Sequence, residues 1–140
     1  MTRALESRAR PAPLALELLP GRRAVCRLGA GEAVPEWAWR SPWLALTRTP
    51  EELSLVCDEE LVPAEVRAVG GWRCLRVSGT LDFAEIGVLA SLSGCLTQAA
   101  VSLFAVSTYD TDYLLVQQRD LERALAALVG AGHSIEESDG

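Results

Sequence analysis

The sequence predicts an α+β fold: two sheet-and-helix halves in tandem, the first of them shortened. Three observations carry this. Apolar residues alternate at period two in several short stretches, two stretches instead repeat at the 3.6-residue helical period, and an acidic, Pro63-containing segment from Asp58 to Val69 separates the halves. At 140 residues the chain has one domain's length and can bury about 70% of its unfolded surface.

Residues 1–13 are a polar, Pro-ended tail. Leu14, Leu16 and Leu18 alternate up to Pro20-Gly21, and Ala24 to Leu28 resumes as a short apolar stretch, so two adjacent strands are expected there. Glu32–Trp39 reads as one or two helical turns. Trp43–Thr47 and Leu53–Cys57 form a hairpin across the polar corner 48–52. In the second half Trp72–Val77 alternates like a strand. Asp82 and Glu85 then have capping-box spacing ahead of a helix whose stripe is Ile86, Leu89, Leu92 and Leu96. Strands follow at Val101–Ser107 and Asp112–Gln117. Asp120 caps a second helix with Leu121, Leu125 and Leu128 on one face; Gly130 and Gly132 stop it, and His133–Ile135 forms a last strand. The order β-α-β-β-α-β is that of ferredoxin-like sandwiches. The expected organisation is a tail at 1–13, a degenerate N-terminal half at 14–66 and a complete C-terminal domain at 67–136.

Composition excludes several function classes. Hydrophobic residues at 49% and charged ones at 23% match ordinary globular usage, and no apolar run approaches the ~20 residues of a membrane span, so a soluble protein with no membrane partner is expected. Residues 1–23 carry five Arg and two Glu, whereas the remainder holds eight Arg against seventeen acids. A body of that sign repels phosphate backbones, which argues against a nucleic-acid partner. Cys26, Cys57, Cys74 and Cys95 contain no CxxC pair and have apolar neighbours, as small core residues do. With no apolar signal segment near Met1, the expected location is a reduced, cytoplasmic compartment.

Catalytic readings fail on inventory. His133 is the single histidine and is expected to be solvated; it offers no Cys-His or Ser-His pair and no two-histidine metal site. Gly70-Gly71 and Gly29-Ala30-Gly31 match no phosphate-binding loop, so no enzyme, metal or cofactor is expected. Trp37, Trp39, Trp43 and Trp72 read as packing. Gly87 and Gly94 would lie near one face of the first long helix, where they suit helix-on-sheet packing and equally the close approach of another element or a small ligand.

The segment Val101–Val116 is the most informative. Its V-S-L start and its S-T-Y-D-T-D-Y-L-L-V run at 107–116, with F-A-E-I-G-V at 83–88, L-T-R-T-P-E-E at 46–52 and V-C-D-E-E at 56–60, resemble the ACT-domain proteins of the cytosolic arginine sensor (CASTOR) type and their small bacterial relatives. The resemblance covers roughly residues 14–136. It implies tandem ACT domains, the N-terminal one shortened, that bind a free amino acid without reacting with it.

In that family the ligand lies between neighbouring ACT units. The matching residues are Ser102 and Leu103 at the start of one strand and the acid Asp112, with Thr108, Tyr109 and Glu85 lining the site. The residue types suit a zwitterion. Asp112 offers a carboxylate to an α-ammonium group, while Ser102 and a backbone N–H near Leu103 offer donors to an α-carboxylate. Asp82 stands where the eukaryotic sensor has glycine, which narrows backbone access and adds negative charge. Asp82 and Glu85 suit a cationic side chain and equally well suit ordinary helix capping. A homodimer would restore the neighbouring-unit arrangement in a chain of this length, with output through an unidentified protein partner. Two alternatives are an interaction module that kept the fold and lost the pocket, and a regulatory subunit acting in trans on an enzyme of amino-acid metabolism.

Overall fold

A computed structural model describes residues 13–78 and 87–138. The chain forms strands β1 (Ala15–Leu18), β2 (Arg23–Leu28), β3 (Ala45–Arg48), β4 (Leu53–Asp58), β5 (Ala68–Val77), β6 (Leu103–Ser107), β7 (Asp112–Gln117) and β8 (Ser134–Glu137). The α-helices are α1 (Glu36–Trp39), α2 (Val88–Gln98) and α3 (Leu121–Gly130). Its contacts group into two units, one of residues 21–73 and one of residues up to 20 together with those from 74 onward.

The first unit is a reduced ferredoxin-like sheet. Its strand order is β3-β4-β2-β5, and every pair is antiparallel. In order of chain entry this is 2-3-1-4, with the first helix shrunk to α1 and the second to a 3-10 turn at Glu59–Leu61. Alternation decides which residues face α1. Ala24 and Cys26 lie on one face of β2 and Leu55 and Cys57 on the matching face of β4, and all four pack with Ala38 of α1 in one buried cluster. Arg23 points to the other face, directly opposite Asp58. It is buried, its Nε 3.4 Å from Asp58 Oδ1, and its guanidinium lies 5.6 Å from the centroid of the Trp43 ring.

In the second unit the order is β6-β7-β5-β1-β8. Strands β5, β6, β7 and β8, with α2 and α3, reproduce the expected β-α-β-β-α-β order, but β1 is inserted between the first and the last of them. It runs antiparallel to β5 and parallel to β8. Leu16 and Leu18 therefore meet Val77 and Leu75 on the helix-facing side, where Leu92 and Leu96 of α2 and Leu128 of α3 complete a core of buried residues. Glu17 turns to the opposite face and reaches Arg76 at 3.8 Å. The 14–66/67–136 division differs from this arrangement, since β1 belongs with the later residues.

Several local expectations change. Strands β1 and β2 do not pair with each other; each pairs antiparallel with β5, β1 with its residues 75–77 and β2 with its residues 68–72. The Asp82–Glu85 capping box lies outside the described residues, and α2 begins at Val88 with Gly87 ahead of it in the left-handed region at φ 81°. Gly87 is thus a helix start and not a helix interior, and Gly94 opens on empty space. Asp120 makes no side-chain cap to α3; its carboxylate instead holds Arg123 at 3.0 Å. Arg123 in turn donates to the Ala99 and Ala100 carbonyls at the end of α2.

His133 is buried and not solvated, and its Nδ1 accepts a 3.0 Å hydrogen bond from the Leu14 N–H. This bond fixes the tautomer with the proton on Nε2. Trp39 is 62% exposed, so packing accounts for the other tryptophans better than for this one. The cysteines are free thiols, three buried and Cys95 half-buried.

Candidate ligand site

The recognition segment folds as the β6–β7 hairpin. Its register sets Leu103 opposite Val116, Ala105 opposite Leu114 and Ser107 opposite Asp112. Leu114 and Val116 enter the core, so their side of the hairpin faces the helices, and Asp112 at the head of β7 lies half-buried on that same side.

The turn is locked by two threonines. Thr108 N–H donates to the Thr111 carbonyl at 2.8 Å, Thr111 N–H donates to Thr108 Oγ1 at 3.2 Å, and the Thr108 hydroxyl donates back to the Thr111 carbonyl at 3.0 Å. Thr111 is itself buried, and its hydroxyl donates 2.7 Å to the Val77 carbonyl at the end of β5. The hairpin tip is thereby fastened to the sheet immediately before Asp112. Thr111 is not among the candidate site residues of the sequence, although it stands directly ahead of Asp112 in the 107–116 run.

Thr108, Tyr109 and Asp112 therefore gather at the tip, with Tyr109 81% exposed. Ser102 and Leu103 lie at the other end of β6, Ser102 exposed just before the strand and Leu103 half-buried as its first residue. At about 3.4 Å per residue, the four-residue offset separates the Leu103 and Asp112 rows by about 14 Å. One carbon separates the ammonium and carboxylate groups of an amino acid, so these two ends of one hairpin do not hold both groups of one ligand. Asp82 and Glu85 lie outside the described residues.

Cys57 and Cys95 are not poised as nucleophiles, whereas the hydrogen bond from Cys57 shifts the Cys26 thiol down. The hydrogen bond that Cys57 donates to Cys26, burial and the neighbouring Asp58 charge push the Cys57 thiol far up, and burial raises Cys95. Among the described residues no three His, Cys, Asp or Glu side chains cluster as metal ligands would, and no helix is long and apolar enough to cross a membrane.

An ACT-domain family model matches residues 67–129, and a second model, for an N-terminal domain, matches residues 21–65. Residues 67–129 thus carry an ACT domain, and the chain is similar to the cytosolic arginine sensors. It is 34% identical over 100 residues to the human cytosolic arginine sensor for mTORC1 subunit 1, an alignment covering 64% of this chain and 30% of that protein. The chain thus spans about a third of the length of that curated relative. A crystal structure of an Agobacterium tumefaciens protein is similar over 93% of this chain and 97% of the other, with 37% identity and a TM-score of 0.87. The regulatory subunit of aspartate kinase from Thermus thermophilus shares the fold, with a TM-score of 0.60 at 11% identity over 86% of this chain and 99% of that one.

Proposed function

We propose that the protein is a non-enzymatic, cytoplasmic regulatory module that binds a free amino acid at a boundary between ACT units and passes the occupancy to a protein partner. The observation that supports this most is the hairpin tip. Asp112 stands half-buried beside Thr108 and Tyr109, on a turn pinned to β5 through Thr111 and built from the segment that carries the family motif. A carboxylate held in this way accepts charge-assisted hydrogen bonds from an α-ammonium group, and the Ser102 hydroxyl supplies a donor for an α-carboxylate. The likeness to an arginine sensor makes the free amino acid the ligand class to test first.

Calorimetric titration with each of the twenty amino acids tests the reading. At least one is expected to saturate a site, and Asp112→Ala is expected to weaken it about 10- to 150-fold, the loss of one hydrogen bond to a charged group. Silence across the panel, or unchanged affinity in the variant, overturns it.

A further inference from the structure

Two of the four free thiols, Cys26 and Cys57, share one place in the first unit. In the antiparallel β2–β4 ladder Cys26 stands opposite Leu55 and Ala24 opposite Cys57, so the two cysteines are diagonal neighbours on the face that α1 covers. Both are buried, and their side chains are in hydrogen-bond contact. Ala24, Ala38 and Leu55 pack round them.

Spacing decides which chemistry the pair suits. Diagonal residues on neighbouring strands have Cα atoms roughly 7–8 Å apart, beyond the span of about 4.4–6.8 Å that a disulfide bridges without backbone movement. An ion between the sulfurs asks for more room. Two metal–thiolate bonds of about 2.3 Å, the value for zinc, laid end to end set the sulfurs roughly 4.6 Å apart, which a small side-chain rotation supplies from a pair already in contact.

The number of ligands then selects the ion. Among the described residues no third His, Cys, Asp or Glu side chain joins the pair. Structural zinc takes four ligands, and calcium and magnesium take several oxygens, so none of these fits. The Asp58 carbonyl, 3.6 Å from Cys57 Sγ, is a hard neutral oxygen and too distant to ligate. A pair of thiolates with no third side-chain ligand suits a soft monovalent cation, and Cu(I) is the one that sulfur selects.

We propose that Cys26 and Cys57 form a two-coordinate site for Cu(I) within residues 21–73. Two S–H bonds are exchanged for two S–Cu bonds: Cu(I) and two thiols give a dithiolate complex of net charge −1 and release two protons, with no change of oxidation state. Arg23 favours the thiolate at Cys57, and Asp58 opposes it. Because β2 supplies one ligand and β4 the other, the site is assembled only when these strands pair, and loading accompanies folding. The ion then clamps β2 to β4. The β6–β7 hairpin belongs to the other unit, so loss of either site leaves the other to be measured.

Refolding of the reduced, full-length chain from urea, without oxygen and with Cu(I) held by the coloured chelator bicinchoninate, tests the site. The chain should withdraw one equivalent of Cu(I) from the chelator, and X-ray absorption of the product should show two sulfur ligands and no nitrogen or oxygen. Cys26→Ser and Cys57→Ser should each lose that equivalent, whereas a chain carrying both Cys74→Ser and Cys95→Ser should keep it. The spectrum is taken on the unaltered chain, so the ligand count decides even where a serine variant fails to fold. The loaded chain should melt at a higher temperature than the metal-free one. Refusal of Cu(I), retention of the full equivalent by both single variants, a spectrum with more than two ligands, or an unchanged melting temperature overturns the site. So does a Cys26–Cys57 disulfide in peptide maps of the native chain after hydrogen peroxide treatment, since it places the sulfurs closer than the diagonal allows.

Discussion

The Thr111 hydroxyl donates a 2.7 Å hydrogen bond to the carbonyl oxygen of Val77, 34 residues earlier in the chain and in a buried setting. The bond joins the tip of the β6–β7 hairpin to the end of β5, and the next residue after the donor is Asp112. Replacing the hydroxyl with a methyl group of the same shape leaves a buried carbonyl without its donor. Thr111→Val is therefore expected to cost about 1–3 kcal/mol in urea unfolding and to weaken amino-acid binding, while Thr111→Ser retains both.

His133→Ala removes the acceptor for the Leu14 N–H. A loss of about 1 kcal/mol is expected, the cost of a part-buried amide left without its partner. Amide exchange should localise it, with Leu14 losing protection beyond what the fall in global stability explains. Full protection at Leu14 in the variant contradicts the assignment.

The Cys57 thiol is pushed up by its Cys26 contact and by burial, so it stays protonated in the folded chain at neutral pH. The thiolate is the reactive form, and alkylation of native protein at pH 7–9 should leave Cys57 unmodified until denaturant is added.

Ala100 holds φ 60° just past the end of α2, where the Val101 N–H reaches back 2.9 Å to the Leu96 carbonyl. Glycine adopts this left-handed conformation without the Cβ penalty. Ala100→Gly should raise stability by up to about 1 kcal/mol, and Ala100→Val should lower it; calorimetric melting of both variants checks the pair.

What was legible in the sequence follows physical lines. The alternation of Trp72–Val77, the 3.6-residue stripe through Leu92 and Leu96, and the 107–116 motif are local signals, and each appears where the pattern puts it. Partners distant in the chain were not legible. Nothing in Leu14–Leu18 announces that its neighbours are β5 and β8 and not β2, because the same alternation suits any partner with an apolar face. His133 reads as a polar residue near acidic ones, and its burial comes from an amide 119 residues away. For the site, residue types were readable, but their separation along one hairpin depends on pairing register, which composition does not encode.

The placement of β1 between β5 and β8 also bears on biosynthesis. A nascent chain emits Ala15–Leu18 early, yet its parallel neighbour emerges from the ribosome more than a hundred residues later. Residues 21–73 have all their sheet partners by the time β5 is out, so they are free to fold during translation. The first strand made must wait for the last before its own sheet closes, and this late, long-range step is where slow folding and chaperone dependence should concentrate.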